Sequence, residues 1–204
     1  MQNSHKPRPL FPMIVTALLA AIATVLYFLG FPIFPAAPFL QLDFSDIPAL
    51  LAAMVFGPVY GVAVNLIQNF IGLIAGSFAA HAGIGNLMNF AVGVAFVVPY
   101  AIIVRRAQKK HGRIGHKDVV IAGAVSMISI IVVGFGMNTI VLPLFFRFVM
   151  GMPMEEIWTM VWSTIVFSTV LNAIKGAVLT TAGTIFVYLP LRNMLERKFL
   201  QNHR

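Results

Sequence analysis

The sequence contains no cysteine. Disulfide staples, thiolate metal sites and cysteine nucleophiles are excluded at once, and the absence fits a protein of the bacterial inner membrane. Charge is nearly as scarce, at 10% of residues, with six acidic side chains against 14 basic ones. No apolar run holds a pair of carboxylates for acid–base work, a His, Asp and Glu set at metal-ligand spacing, or a nucleotide-binding glycine loop. The histidines (His5, His81, His111, His116 and His203) all fall in tails or loops, so Ser163 and Ser168 lack a base within the membrane. The chain is therefore read as no enzyme, with no catalytic residue, no metal and no cofactor. A membrane enzyme acting on lipid is the weaker alternative. Rings of charge and a carbonyl-filter signature are missing as well, which argues against an ion pore.

What is abundant is apolar surface: 59% of residues are hydrophobic and the mean hydropathy is +0.91. These values lie outside the range of soluble domains and point to an all-α integral membrane protein in a single membrane domain, 1–204. A span needs about 20 apolar residues, and the apolar runs and Gly/Pro breaks place six transmembrane helices at 10–30, 46–56, 58–76, 84–108, 118–138 and 157–190. The first apolar stretch resembles a signal peptide only weakly and is read as a retained helix. The Pro-rich stretch 31–45, FPIFPAAPFLQLDFS, is too apolar to lie in water and suggests a lid folded over the bundle.

Threading the helices from a cytoplasmic N-terminus puts twelve of the 14 basic residues inside, including the cluster Arg105, Arg106, Lys109, Lys110, Arg113 and Lys117. Asp43, Asp46, Arg147, Glu155 and Glu156 then fall outside. This asymmetry places both termini in the cytoplasm and explains the net charge of +8 by topology, with no nucleic acid as partner.

One residue breaks the apolar pattern. Lys175 lies in LNAIKGAVLTT, where an ammonium at mid-bilayer costs roughly 2.5 to 3.5 kcal/mol unless compensated. With no carboxylate inside any predicted span beyond its first residue, its partners are expected to be backbone carbonyls, amides or a ligand. Ser168, Asn172 and Lys175 share one helix face, and Asn138 closes the fifth helix just after the flexible GFGMN turn. Asn65, Gln68, Asn69, Asn86 and Asn89, beside Gly72, Gly76 and Gly93, read as helix-packing residues. Ala17 and Ala21, one turn apart, permit close approach of a helix inside the bundle or in another subunit. A lidded cavity with amides and one cation suits a flat ligand presenting carbonyls and an N–H. A cationic ligand such as thiamine would call for an acidic or aromatic cage.

FLQLDFSDIPALLAAMVFGPVYG (39–61), the A-x-x-x-A of the first helix and the N-x-x-K of the sixth resemble the substrate-binding S components of energy-coupling factor (ECF) vitamin transporters, those for riboflavin above all. The resemblance runs over nearly the whole chain. It implies a multi-pass protein of the bacterial cytoplasmic membrane that captures riboflavin from outside. It further implies docking on a transmembrane coupling subunit (T component) driven by two ATPase subunits, which would hydrolyse the ATP. By position, Asn138, Asn172 and Lys175 would contact the isoalloxazine ring, Phe39, Leu40 and Leu42 would cover it, and Ala17 and Ala21 would face the coupling subunit. The same architecture serving another vitamin, such as biotin or pantothenate, is the alternative.

Overall fold

The computed structural model describes residues 10–32, 41–77, 83–111 and 114–188. Among them the chain is nearly all helical, in the order α1 Leu10–Phe28, α2 Asp46–Val55, α3 Pro58–Gly72, α4 Ile84–His111, α5 His116–Phe148 and α6 Met154–Ala182. The sole strand pairing among those residues is two residues long: β1, Phe31–Pro32, lies antiparallel to β2, Gln41–Leu42. It ties together the base of the proposed lid, whose residues 33–40 lie outside the described residues. All the helices except α2 are long and apolar enough to cross a membrane, and α3 and α6 run on into single π-helical turns, Leu73–Ser77 and Gly183–Tyr188.

Local chemistry explains the breaks. Pro48 sits in the first turn of α2, where a missing N–H is harmless. Gly57 then takes a φ of 128°, a conformation that side chains disfavour, and Pro58 starts α3. The free carbonyl of Met54 at the end of α2 accepts a hydrogen bond of 2.9 Å from Arg105 Nη1, so this basic residue caps a helix as well as marking topology. At the start of α5, the Asp118 carboxylate accepts the Gly115 N–H at 2.8 Å.

The fifth helix is longer than the sequence predicts. GFGMN is not a turn: α5 continues through it, and past Pro143, to Phe148. At 33 residues it is about 50 Å long, well beyond a bilayer's apolar thickness. Only residues 149–153 connect it to α6. Beyond Asn138 the helix has its own apolar cluster to bury: Leu142, Phe145 and Phe146 pack on Ile157, Val161 and Ile165 of α6. Such packing outweighs the local weakness of Gly and Pro.

A larger core joins α1 to α4 and reaches α5, with Ala20, Ala23, Leu50, Val64, Phe96 and Tyr100 at its centre. The α2–α3 crossing is especially close. A Cβ on Gly61 would lie 2.7 Å from the Ala49 carbonyl oxygen and 2.6 Å from Ala53 Cβ. Gly61→Ala is therefore expected to destabilise the bundle by about 1 to 3 kcal/mol, seen as a lower melting temperature in detergent. An unchanged midpoint would show that this crossing has slack.

Candidate functional site

The long helices α4, α5 and α6 enclose a cavity of about 70 Å³, lined by Gly85, Met88, Asn89, Val92, Gly134, Asn138, Ser168, Leu171, Asn172 and Lys175. Asn138, Asn172 and Lys175 thus meet at one place, though they come from α5 and α6. Leu42 does not line the cavity; it is buried in β2, opposite Phe31. Phe39 and Leu40 lie outside the described residues. Ligand pockets usually measure roughly 300 to 1,000 Å³, so this crevice is narrower than a typical ligand site.

Gly134 shows why the GFG stretch is helical here. A Cβ at that position would strike the Asn172 amide, so glycine is what lets α5 approach α6 with Asn172 between them. One turn further along α5, Asn138 donates from Nδ2 to Ser168 Oγ, which donates in turn to the Ile165 carbonyl at 3.2 Å. Asn138 Oδ1 is buried without a partner, and the Asn172 amide has no hydrogen bond among the described residues. Both amides therefore keep unspent hydrogen-bonding capacity next to the cavity.

Lys175 is differently placed from the sequence-based expectation. It is 3% exposed, and its ammonium lies 2.9 Å from Asp46 Oδ2, 3.4 Å from Asp43 Oδ2 and 3.0 Å from Asn89 Oδ1. The two acids are buried partners of the lysine rather than charges of an outer loop. Pro48 and the acidic first turn start α2 at Asp46, which carries both carboxylates into the bundle, and a buried cation recruits whatever counter-charge reaches it. The ammonium donates hydrogen bonds to Asp43 and Asn89 and adds an ion pair with Asp46, so its charge is compensated inside the protein. Neither Asp46 oxygen accepts a hydrogen bond among the described residues, so its contact with the lysine is the ion pair alone.

Asp43 is itself fixed. Its Oδ1 accepts the Ser45 N–H at 2.9 Å and the Ser45 hydroxyl, and Ser45 Oγ accepts from Gln68 Nε2 at 2.8 Å. Asn89, which passes the contact onward, donates to Asn69 Oδ1 at 3.2 Å, while Asn86 Nδ2 donates to the Tyr27 hydroxyl at 2.9 Å. Of the amides read as packing residues, Asn89 is thus a cavity-lining partner of Lys175, and Gln68, Asn69 and Asn86 tie α3 and α4 to its support. Sequence reasoning missed Asp43, Asp46 and Asn89 as a group. The available signal was the pair of acids three residues apart in LDFSDIP, flanked by apolar residues and next to a predicted span.

Ala17 and Ala21 face outward on α1, whereas Thr16, Ala20, Ala23 and Thr24 face the core. Leu18, Ile22 and Val25 are exposed on the same helix, so the small-residue pair belongs to an apolar outer face.

Comparison with known proteins fits this architecture. The family description "ECF transporter, substrate-specific component" matches residues 12–188. The chain belongs to this family. A solved S component of a bacterial ECF transporter superimposes with a TM-score of 0.65 at 31% identity, covering 93% of this chain and 99% of the other. Riboflavin transporter FmnP of Bacillus subtilis is 37% identical over 49% of this chain and 53% of its own length. Riboflavin transporter RibU of Staphylococcus aureus is 40% identical over 48% of this chain and 51% of its own. The matched stretch thus spans about half the length of these curated relatives. The chain is a membrane protein of a transporter family.

Proposed function

We propose that this substrate-specific component captures riboflavin from outside the cell and delivers it to an ATP-driven ECF transporter. The observation that carries the reading is the convergence of Asn138, Asn172 and Lys175 on one crevice, with Asn138 Oδ1 unpartnered and the Asn172 amide without a hydrogen bond among the described residues, in a chain whose relatives include named riboflavin transporters. The pyrimidine edge of a flavin alternates carbonyls with an N–H. Two amides and an ammonium complement that edge, and Met88, Val92 and Leu171 offer apolar contact to the ring. Phe39 and Leu40 complete the proposed contact set as the cover from the preceding loop, while Leu42 is set back in β2, off the cavity lining.

Lys175 enters this scheme by exchange. Its ammonium already faces three protein acceptors, so a flavin acceptor displaces or joins the weakest of them, and the Asp43 contact, at 3.4 Å, is the longest of the three. Binding parts α4 to α6 and loosens one contact of the lysine at the same step.

Further parts of the proposal follow the family. The helices form one domain, 1–204, of the bacterial cytoplasmic membrane, with both termini inside. The exposed Ala17 and Ala21 meet the transmembrane coupling subunit, and two partner ATPase subunits hydrolyse the ATP. A carboxylate-bearing vitamin would find Lys175, the one buried cation among the described residues, already paired with two acids.

The test is the ligand that accompanies the protein from cells. Detergent-purified chain is expected to be yellow and to release riboflavin on denaturation, identified by mass spectrometry. Release of biotin, pantothenate or another vitamin in its place would refute the assignment and leave the family intact.

A further inference from the structure

A buried lysine at a ligand site ordinarily attracts anions. Here its surroundings oppose that tendency. The groups facing the Lys175 ammonium are Asp43 from the β2–α2 junction, Asp46 from α2 and the neutral amide of Asn89 from α4. The remaining polar side chains lining the crevice, Asn138, Ser168 and Asn172, are neutral. Among the described residues, Arg147, Glu155 and Glu156 are exposed at the far ends of α5 and α6 and are not part of the lining. With either aspartate ionised the cluster has no surplus positive charge, and with both ionised it is net negative. Asp43 and Asp46 are 4% and 0% exposed, so solvent screens them little.

We propose that Asp43 and Asp46 are specificity-determining residues that select the ligand by charge. By neutralising Lys175 they make the crevice a receptor for a neutral polar ring edge and an unfavourable one for an anionic ring. The ammonium still donates hydrogen bonds, but its long-range attraction for an anion is offset by the carboxylates 2.9 and 3.4 Å behind it, which do not line the crevice themselves. Selection of this kind works by building repulsion against the wrong ligand, not by adding contacts to the right one. The inference rests on the flavin reading above.

A matched pair of ligands tests it. A riboflavin analogue with a hydroxyl in place of the methyl at ring position 8 has nearly the same shape, but it loses a proton near neutral pH and spreads the negative charge over the fused rings. Affinities for riboflavin and for this analogue are measured by titration at a pH where the free analogue is anionic, for the wild type, Asp43→Asn and Asp43→Asn/Asp46→Asn. The wild type is expected to favour riboflavin by at least about tenfold. The preference narrows by on the order of tenfold for each carboxylate removed, so the double variant no longer rejects the anion. A merely structural role would lower both affinities together and leave their ratio unchanged.

The visible spectrum of the analogue bound to the wild type gives a reading that needs no variant. Binding is expected to shift the analogue toward its protonated form relative to free solution at the same pH. An unshifted or more fully anionic spectrum would overturn the inference, as would a ratio that stays constant across variants that still bind riboflavin. Should a variant fail to fold, the wild-type spectrum decides alone. If the wild type binds no riboflavin, the function proposed above fails and takes this inference with it. Normal riboflavin binding with no discrimination removes the inference only.

Discussion

Lys175→Met is expected to lower both flavin affinity and the stability of the empty protein. Deleting the ammonium leaves Asp43 and Asp46 facing each other across a buried site, with Asn89 Oδ1 also deprived of its donor. Breaking a buried ion pair by removing one partner typically costs about 3 to 5 kcal/mol, because the remaining charge has lost both water and partner. Thermal unfolding in detergent, without ligand, measures the effect. The control is Asp46→Asn in the Lys175→Met background, which removes the stranded charge and should recover part of the lost stability. That non-additivity is the signature of a direct coupling. A Lys175→Met protein that melts like the wild type would mean that the triad contributes nothing to the fold.

Asn172→Leu is expected to behave in the opposite manner. The Asn172 amide makes no hydrogen bond among the described residues, and the side chain is held by shape against Gly134. Leucine has similar bulk, so the melting temperature of the empty protein should change little. Riboflavin would then lose one amide partner and leave a polar atom of its pyrimidine edge unsatisfied in the closed crevice. A penalty of about 1 to 3 kcal/mol corresponds to a Kd roughly 5- to 150-fold weaker. Equal affinity would place the flavin edge elsewhere. Comparing the two substitutions separates a residue whose contacts await a ligand from one already engaged in the fold.

How far these features were legible in the sequence depended on their range. The starts of α1, α2, α3 and α4 agree with the apolar pattern because Pro48, the Gly57-Pro58 pair and the apolar runs act locally. The end of α5 was misplaced because Gly134, Gly136 and Pro143 look like breakers in isolation. Their tolerance comes from contacts with α6: Asn172 against Gly134, and the Phe145 and Phe146 cluster beyond. The stripe of Ser168, Asn172 and Lys175 was readable from helical periodicity alone. Its counter-charge was not, since Lys175 and Asp43 lie 132 residues apart and helical period carries no information across that distance. Charge neutrality was the remaining clue. One ammonium inside the bilayer demanded an acid, and Asp43 and Asp46 were acids bordering a span. The outward placement of Ala17 and Ala21 likewise required the packing of α1 on α2 and α3 to be known.

The most direct test of the account is a titration of the stripped, detergent-purified protein with riboflavin, followed by quenching of flavin fluorescence. Saturable quenching at about one flavin per chain, weakened by Asn172→Leu without loss of thermal stability, is the predicted result. A folded wild-type protein that produces no saturable quenching would contradict the central claim that the crevice between α4, α5 and α6 is a flavin site.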